Sequence, residues 1–145
     1  MGWIILFFIA YFLLFSLIPL KRCKELLHVG LFSLIVLYII DSTLIKLGAY
    51  SFKLVYFDIS GIPLLYLLSG LPGGMLLVHF LPPKKKWHLF YPLLASAIFL
   101  CIELIMVLCK YFYHHQWNSF NSYVLNIFGF SIVLWFHYCF DNYKK

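Results

Sequence analysis

Eighteen residues from Trp3 to Leu20 carry no charged side chain, and four later stretches are nearly as apolar. A helix that crosses ~30 Å of hydrocarbon needs about 20 mostly apolar residues. Five such runs occupy most of the 145 residues. They predict an all-α integral membrane bundle of five transmembrane helices, over about residues 3–20, 28–45, 59–81, 89–109 and 123–140. Short connections make consecutive helices antiparallel and make residues 1–145 a single transmembrane domain. Charged residues are 11% of the chain, against roughly 25% in soluble domains. A soluble fold would have little with which to cover its surface.

The net charge of +6 does not point to nucleic acid, because the basic residues sit in short clusters at helix ends. Lys21, Arg22 and Lys24 follow the first span, Lys84, Lys85 and Lys86 follow the third, and Lys144 and Lys145 follow the fifth. The other side of the bundle holds Lys46, Lys53 and Lys110. Cytoplasmic loops are enriched in Lys and Arg, so the expected orientation is N-out and C-in. No basic region precedes the first apolar run, and Ile18-Pro19-Leu20 is no small-residue cleavage site. The first span is therefore expected to remain as a helix rather than be removed as a signal peptide. Trp3, Trp87, Trp117 and Tyr113 fall near span ends, where amphipathic rings favour the membrane interface.

Of the five acids, Glu25 and Asp141 lie towards the inner side. Asp41, Asp58 and Glu103 come from three different spans, and all fall in the outer half. An ionisable group inside a span costs about 2.5–3.5 kcal/mol on insertion scales, so it usually has a partner or a role. The same side carries His114, His115, Trp117, Asn118 and Asn121, and Asn126 enters the fifth span. Together these residues make a candidate outward-facing pocket for an ion, a lipid head group or a partner's basic residue. The alternative is pairing of the three acids with Lys46, Lys53 and Lys110, whose long stems can snorkel towards them. Adjacent histidines do not face one way on a helix, so His114-His115 is no metal motif, and no metal or other cofactor is expected.

The third span contains Gly70, Pro72, Gly73 and Gly74. Proline removes a backbone hydrogen bond and clashes with the preceding turn. Broken helices near the midplane form substrate sites in many transporters. Gly70 and Gly74 also make a small-xxx-small pair suited to close helix packing. Cys23, Cys101, Cys109 and Cys139 have no paired spacing that implies a disulfide framework.

Three features resemble a family of small, uncharacterised multi-pass membrane proteins from spore-forming Gram-positive bacteria. The first is Ile39-Ile40-Asp41, followed by Leu47-Gly48-Ala49-Tyr50. The second is Asp58 with Pro63 at the opening of a span. The third is Glu103, followed by an aromatic stretch, Trp117 and a helix with Trp135-Phe136. The resemblance covers roughly residues 30–140. It implies a bacterial plasma-membrane location and brings no activity with it.

No GxSxG, HExxH, P-loop or GxGxxG pattern occurs. The leading expectation is a non-enzymatic membrane protein acting as a homo-oligomer or as an accessory subunit of a membrane complex. The alternative is a small transporter, or an ion- or lipid-head-group-binding protein, using the outer acids. A third option is a lipid-directed enzyme with Glu103 as base and His114 or His115 as acid. The expected partners are the bilayer and another membrane protein or copy of the chain.

Overall fold

The computed structural model describes residues 2–53 and 57–143. Lys144 and Lys145, two of the cations that the sequence reading assigns to the inner side, lie outside the described residues. The elements in order are α1 (Gly2–Leu17), α2 (Leu20–Lys46), β1 (Tyr50–Phe52), β2 (Asp58–Ile59), β3 (Ile62–Pro63), α3 (Leu64–His79), α4 (Tyr91–Leu108), β4 (Phe112–His114) and α5 (Ser119–Tyr143). A single 3-10 turn, Lys85–Trp87, precedes α4. The five α-helices correspond to the five apolar runs.

Helices α2, α4 and α5 are long and apolar enough to cross a membrane. Helices α1 and α3 are apolar but have 16 residues each, which is about 24 Å at 1.5 Å per residue. Large apolar side chains cover the outside of the bundle: Phe8, Phe12 and Phe15 on α1, Leu31, Ile35 and Ile39 on α2, and Phe128 and Trp135 on α5. Several polar residues point the other way, with Asp41, Ser42, Ser69, Ser96 and Ser122 buried. That distribution fits an apolar solvent, because monomers in water rarely expose contiguous apolar surface beyond a few hundred Å².

Helix α2 starts earlier than the apolar pattern predicts. Only Ile18 and Pro19 separate it from α1, and Lys21, Arg22 and Lys24 lie in its first turns instead of in a loop. Proline cannot continue α1 but tolerates a position at the start of the next helix. Trp3 also departs from expectation. It is a core residue, 3% exposed, packed edge-on against Phe52, Tyr66 and Tyr111, and its Nε1 donates to the Lys53 carbonyl at 3.0 Å.

The third apolar helix begins at Leu64 rather than near residue 59, and α3 runs through Pro72 to His79 without a break. The helix is therefore continuous at this position, and Gly70 and Gly74 are explained by packing. A Cβ on Gly74 would stand 2.3 Å from Ser33 Cβ, and one on Gly70 would stand 2.8 Å from Leu37 Cδ2. Both glycines let α3 press against α2. Gly73 faces open space.

Helices α2 and α4 end in the same way. After α2, Gly48 N donates to Ile45 O at 3.0 Å and Ala49 N to Leu44 O at 3.0 Å. After α4, Lys110 N donates to Val107 O at 3.0 Å and Tyr111 N to Met106 O at 2.9 Å. Each is a Schellman motif with its C′ residue in the left-handed region, at φ 74° for Gly48 and 59° for Lys110. Each helix thereby turns straight into a short strand. β1 and β4 pair antiparallel, with Tyr50 opposite His114 and Phe52 opposite Phe112. This ribbon caps one end of the bundle.

Candidate functional site

Residues directly opposite in an antiparallel pair project from the same face. Tyr50 and His114 do so, and each meets a carboxylate from the helix that precedes its own strand. Tyr50 donates its hydroxyl to Asp41 Oδ1. His114 Nε2 lies 3.0 Å from Glu103 Oε1. The same Glu103 oxygen accepts from Ser122 Oγ at 2.6 Å, and Ser122 Oγ accepts from Trp117 Nε1 at 2.7 Å. Burial, reinforced by Asp41 beside it, holds the Tyr50 phenol well above the usual phenol range, so its proton stays on and the hydroxyl acts as donor.

Asp41 comes from α2 and Glu103 from α4. Both line one cavity of about 490 Å³. Asp41 is 5% exposed. Its second oxygen, Oδ2, and Asn126 Nδ2 have no hydrogen-bond partner, and both residues line the same cavity. Tyr66 lies against the Asp41 carboxylate from α3 and also lines the cavity.

The lysine-pairing alternative does not describe these acids. Among the described residues the ion pairs are Arg22–Glu25 at 3.6 Å and His114–Glu103 at 3.0 Å. Lys53 instead stands 5.5 Å from the Tyr111 ring centroid.

Asp58 does not join the other two acids. It is exposed on β2, where its Oδ2 accepts from Gly61 N at 3.1 Å. The two-residue turn at Ser60 and Gly61 has both residues at positive φ, the geometry that suits a tight hairpin. His115 is turned to the opposite face of β4's extension, where its Nε2 shares a hydrogen bond with Ser51 Oγ at 2.8 Å. Asn118 serves the helix instead of the cavity. Its Oδ1 accepts from Asn121 N at 2.8 Å, which caps the first turn of α5. That places Ser122 one turn before Asn126 on one helix face. Of the sequence-derived candidates, Asp41, Glu103 and Asn126 line the cavity, and His114 and Trp117 reach it only through Glu103 and Ser122. Asp58, His115, Asn118 and Asn121 do not line it.

Nothing in the sequence singles out Tyr50, Tyr66 or Ser122. Tyrosine and serine are unremarkable in an apolar chain, and only the β1–β4 register and the α5 cap bring them to the acids.

Among the described residues no three His, Cys, Asp or Glu side chains gather as a metal-holding group. His114 is bonded to Glu103 rather than to Ser122, and the base beside the serine hydroxyl is the same Glu103 carboxylate. The site can hold a proton, a cation or a donor group of a ligand in low-dielectric surroundings, where an unmatched acid is costly. The chain matches no protein-family model, no curated protein and no solved structure.

Proposed function

We propose that this chain is a multi-pass membrane protein of five spans, N-out and C-in, that binds a cationic group in the acid-lined end of its intramembrane cavity. The plasma-membrane location belongs to the same reading. One observation carries it: buried Asp41 presents an unpartnered oxygen to a cavity that Glu103 also lines, with no lysine or arginine in ion-pair contact with either among the described residues. His114 already pairs with Glu103, so Asp41 is the acid left without a basic partner, and an apolar cavity favours a cation or a proton there over a bare charge. Oligomerisation through the Gly70–Gly74 face has less support, because α2 of the same chain already fills that face.

The test is thermal stabilisation of the protein in lipid nanodiscs by inorganic cations, short amines and long-chain amines. Stabilisation of the native chain by at least one probe, lost in both Asp41→Asn and Glu103→Gln, is the expected result. No stabilisation by any of them, or equal stabilisation of both variants, overturns the reading.

A further inference from the structure

Resting on that reading, we infer that the ligand is an amphiphile with an ammonium head and a single hydrocarbon tail, and that it enters sideways from the bilayer between α1 and α4.

The cavity has two chemically distinct parts. One end holds the carboxylates and Asn126. The rest is walled by apolar residues, including Ala10 and Leu13 of α1 and Ala95 and Ile98 of α4. Helix α1 packs on α3, and α4 packs on α5, while α1 and α4 meet at most marginally. Leu13 and Ile98 line the cavity and are also exposed, at 39% and 59%. The mouth is therefore on the outer wall of the bundle, at the level of the apolar helices, rather than at its capped end. Above the acids the β1–β4 ribbon and the Trp3, Phe52 and Phe112 rings close the bundle. Gly73, next to the packing residue Gly74 and one turn after Gly70, keeps the floor of the slot open.

The size suits a small molecule, since ligand pockets run from about 300 to 1,000 Å³. The polarity selects the head. Asp41 Oδ2 is an acceptor without a partner, with Tyr50 committed to the other oxygen and Tyr66 beside the carboxylate. An ammonium supplies three donors and a positive charge. A fatty acid or a phosphate head would add a negative charge beside two acids. The tail gains little on moving from lipid to an apolar slot, because lipid is as apolar as leucine. Its contribution is access: it concentrates the ligand in the bilayer, at the level of the slot.

The experiment uses the full chain in nanodiscs and a dodecylamine probe with a photoreactive diazirine at the tail end. Labelled positions are read by peptide mass spectrometry. The expected labels fall on slot residues such as Leu13 and Ile98 and not on the lipid-facing controls Phe8 and Ile35. Unlabelled dodecylamine should remove them, and dodecanol and laurate should not. Asp41→Asn and Glu103→Gln should reduce slot labelling to the control level. Gly73→Leu fills the slot away from the acids and should abolish slot labelling while leaving stabilisation by ethylamine unchanged. Uniform labelling of slot and controls, or slot labelling unchanged in Gly73→Leu, overturns the amphiphile inference. If ethylamine still stabilises the native chain and both acid variants lose that effect, the cation-binding reading survives its failure. If ethylamine and dodecylamine both leave the protein unaffected, the two readings fall together.

Discussion

Tyr50 and His114 stand directly opposite each other across the β1–β4 ribbon, and each holds one of the two cavity acids. The symmetry has a local origin. Two helices end in Schellman motifs, two short strands follow, and the residue two positions after Gly48 meets the residue four positions after Lys110. The ribbon therefore does more than cap the bundle, because it fixes how far apart Asp41 and Glu103 are held.

Tyr50→Phe removes the hydrogen bond to Asp41 Oδ1 and leaves Tyr66 as the remaining phenol against that carboxylate. Leaving a buried acceptor unsatisfied costs about 1–3 kcal/mol. Thermal unfolding in nanodiscs should register that loss. With Asp41→Leu in the background, the same tyrosine change should cost far less, since coupled residues depart from additivity by about 0.5–3 kcal/mol. Additive losses would show that Tyr50 stabilises the fold through its ring alone.

Gly74→Ala should destabilise by roughly 1–3 kcal/mol, the usual cost of overpacking, because its Cβ would fall 2.3 Å from Ser33 Cβ. Gly73→Ala meets nothing within 4 Å and should be neutral, or stabilising by up to about 1 kcal/mol from helix propensity. Ser33→Gly should recover much of the Gly74→Ala loss. Unfolding midpoints of the three variants decide it, and equal effects at positions 73 and 74 would contradict the α2–α3 packing.

The helices were legible because long apolar runs report directly on the solvent. The acids were legible because an ionisable group stands out against lipid-compatible neighbours. The ribbon was not. Strands of three residues, Tyr50–Phe52 and Phe112–His114, are too short to display an alternating pattern. Without the ribbon there was no reason to separate His114 from His115, though one faces Glu103 and the other Ser51. The Gly-Pro pattern of α3 fitted both a broken helix and a packed one. Ser33 on α2 decides between them, and its position opposite Gly74 is a tertiary fact that no local pattern encodes.

Lys110 adopts φ 59° at the C′ position where glycine is favoured. The left-handed region costs a residue with a Cβ roughly 1–2 kcal/mol. Lys110→Gly relieves that strain and gives back part of it through a more flexible unfolded chain. The expected result is a gain of up to about 1 kcal/mol in thermal unfolding, with the cavity unchanged. Lys110→Val should lose stability, since a β-branched side chain is worse still at positive φ. A loss on Lys110→Gly would mean that the lysine makes a contact worth more than its backbone strain.

Orientation can be read from single cysteines in a chain whose Cys23, Cys101, Cys109 and Cys139 are replaced by serine or alanine. Tyr113 is exposed on the capping ribbon, and Trp87 is exposed in the 3-10 turn between α3 and α4. The eight cations placed on the inner side outnumber the three on the outer, which favours the ribbon facing out. A membrane-impermeant maleimide applied to intact cells should label Tyr113→Cys. It should reach Trp87→Cys only after the membrane is opened. The opposite pattern would invert the bundle and move the acids to the inner leaflet. Labelling of both positions from outside would show that α4 does not cross the membrane, and with it would go the lateral entrance between α1 and α4.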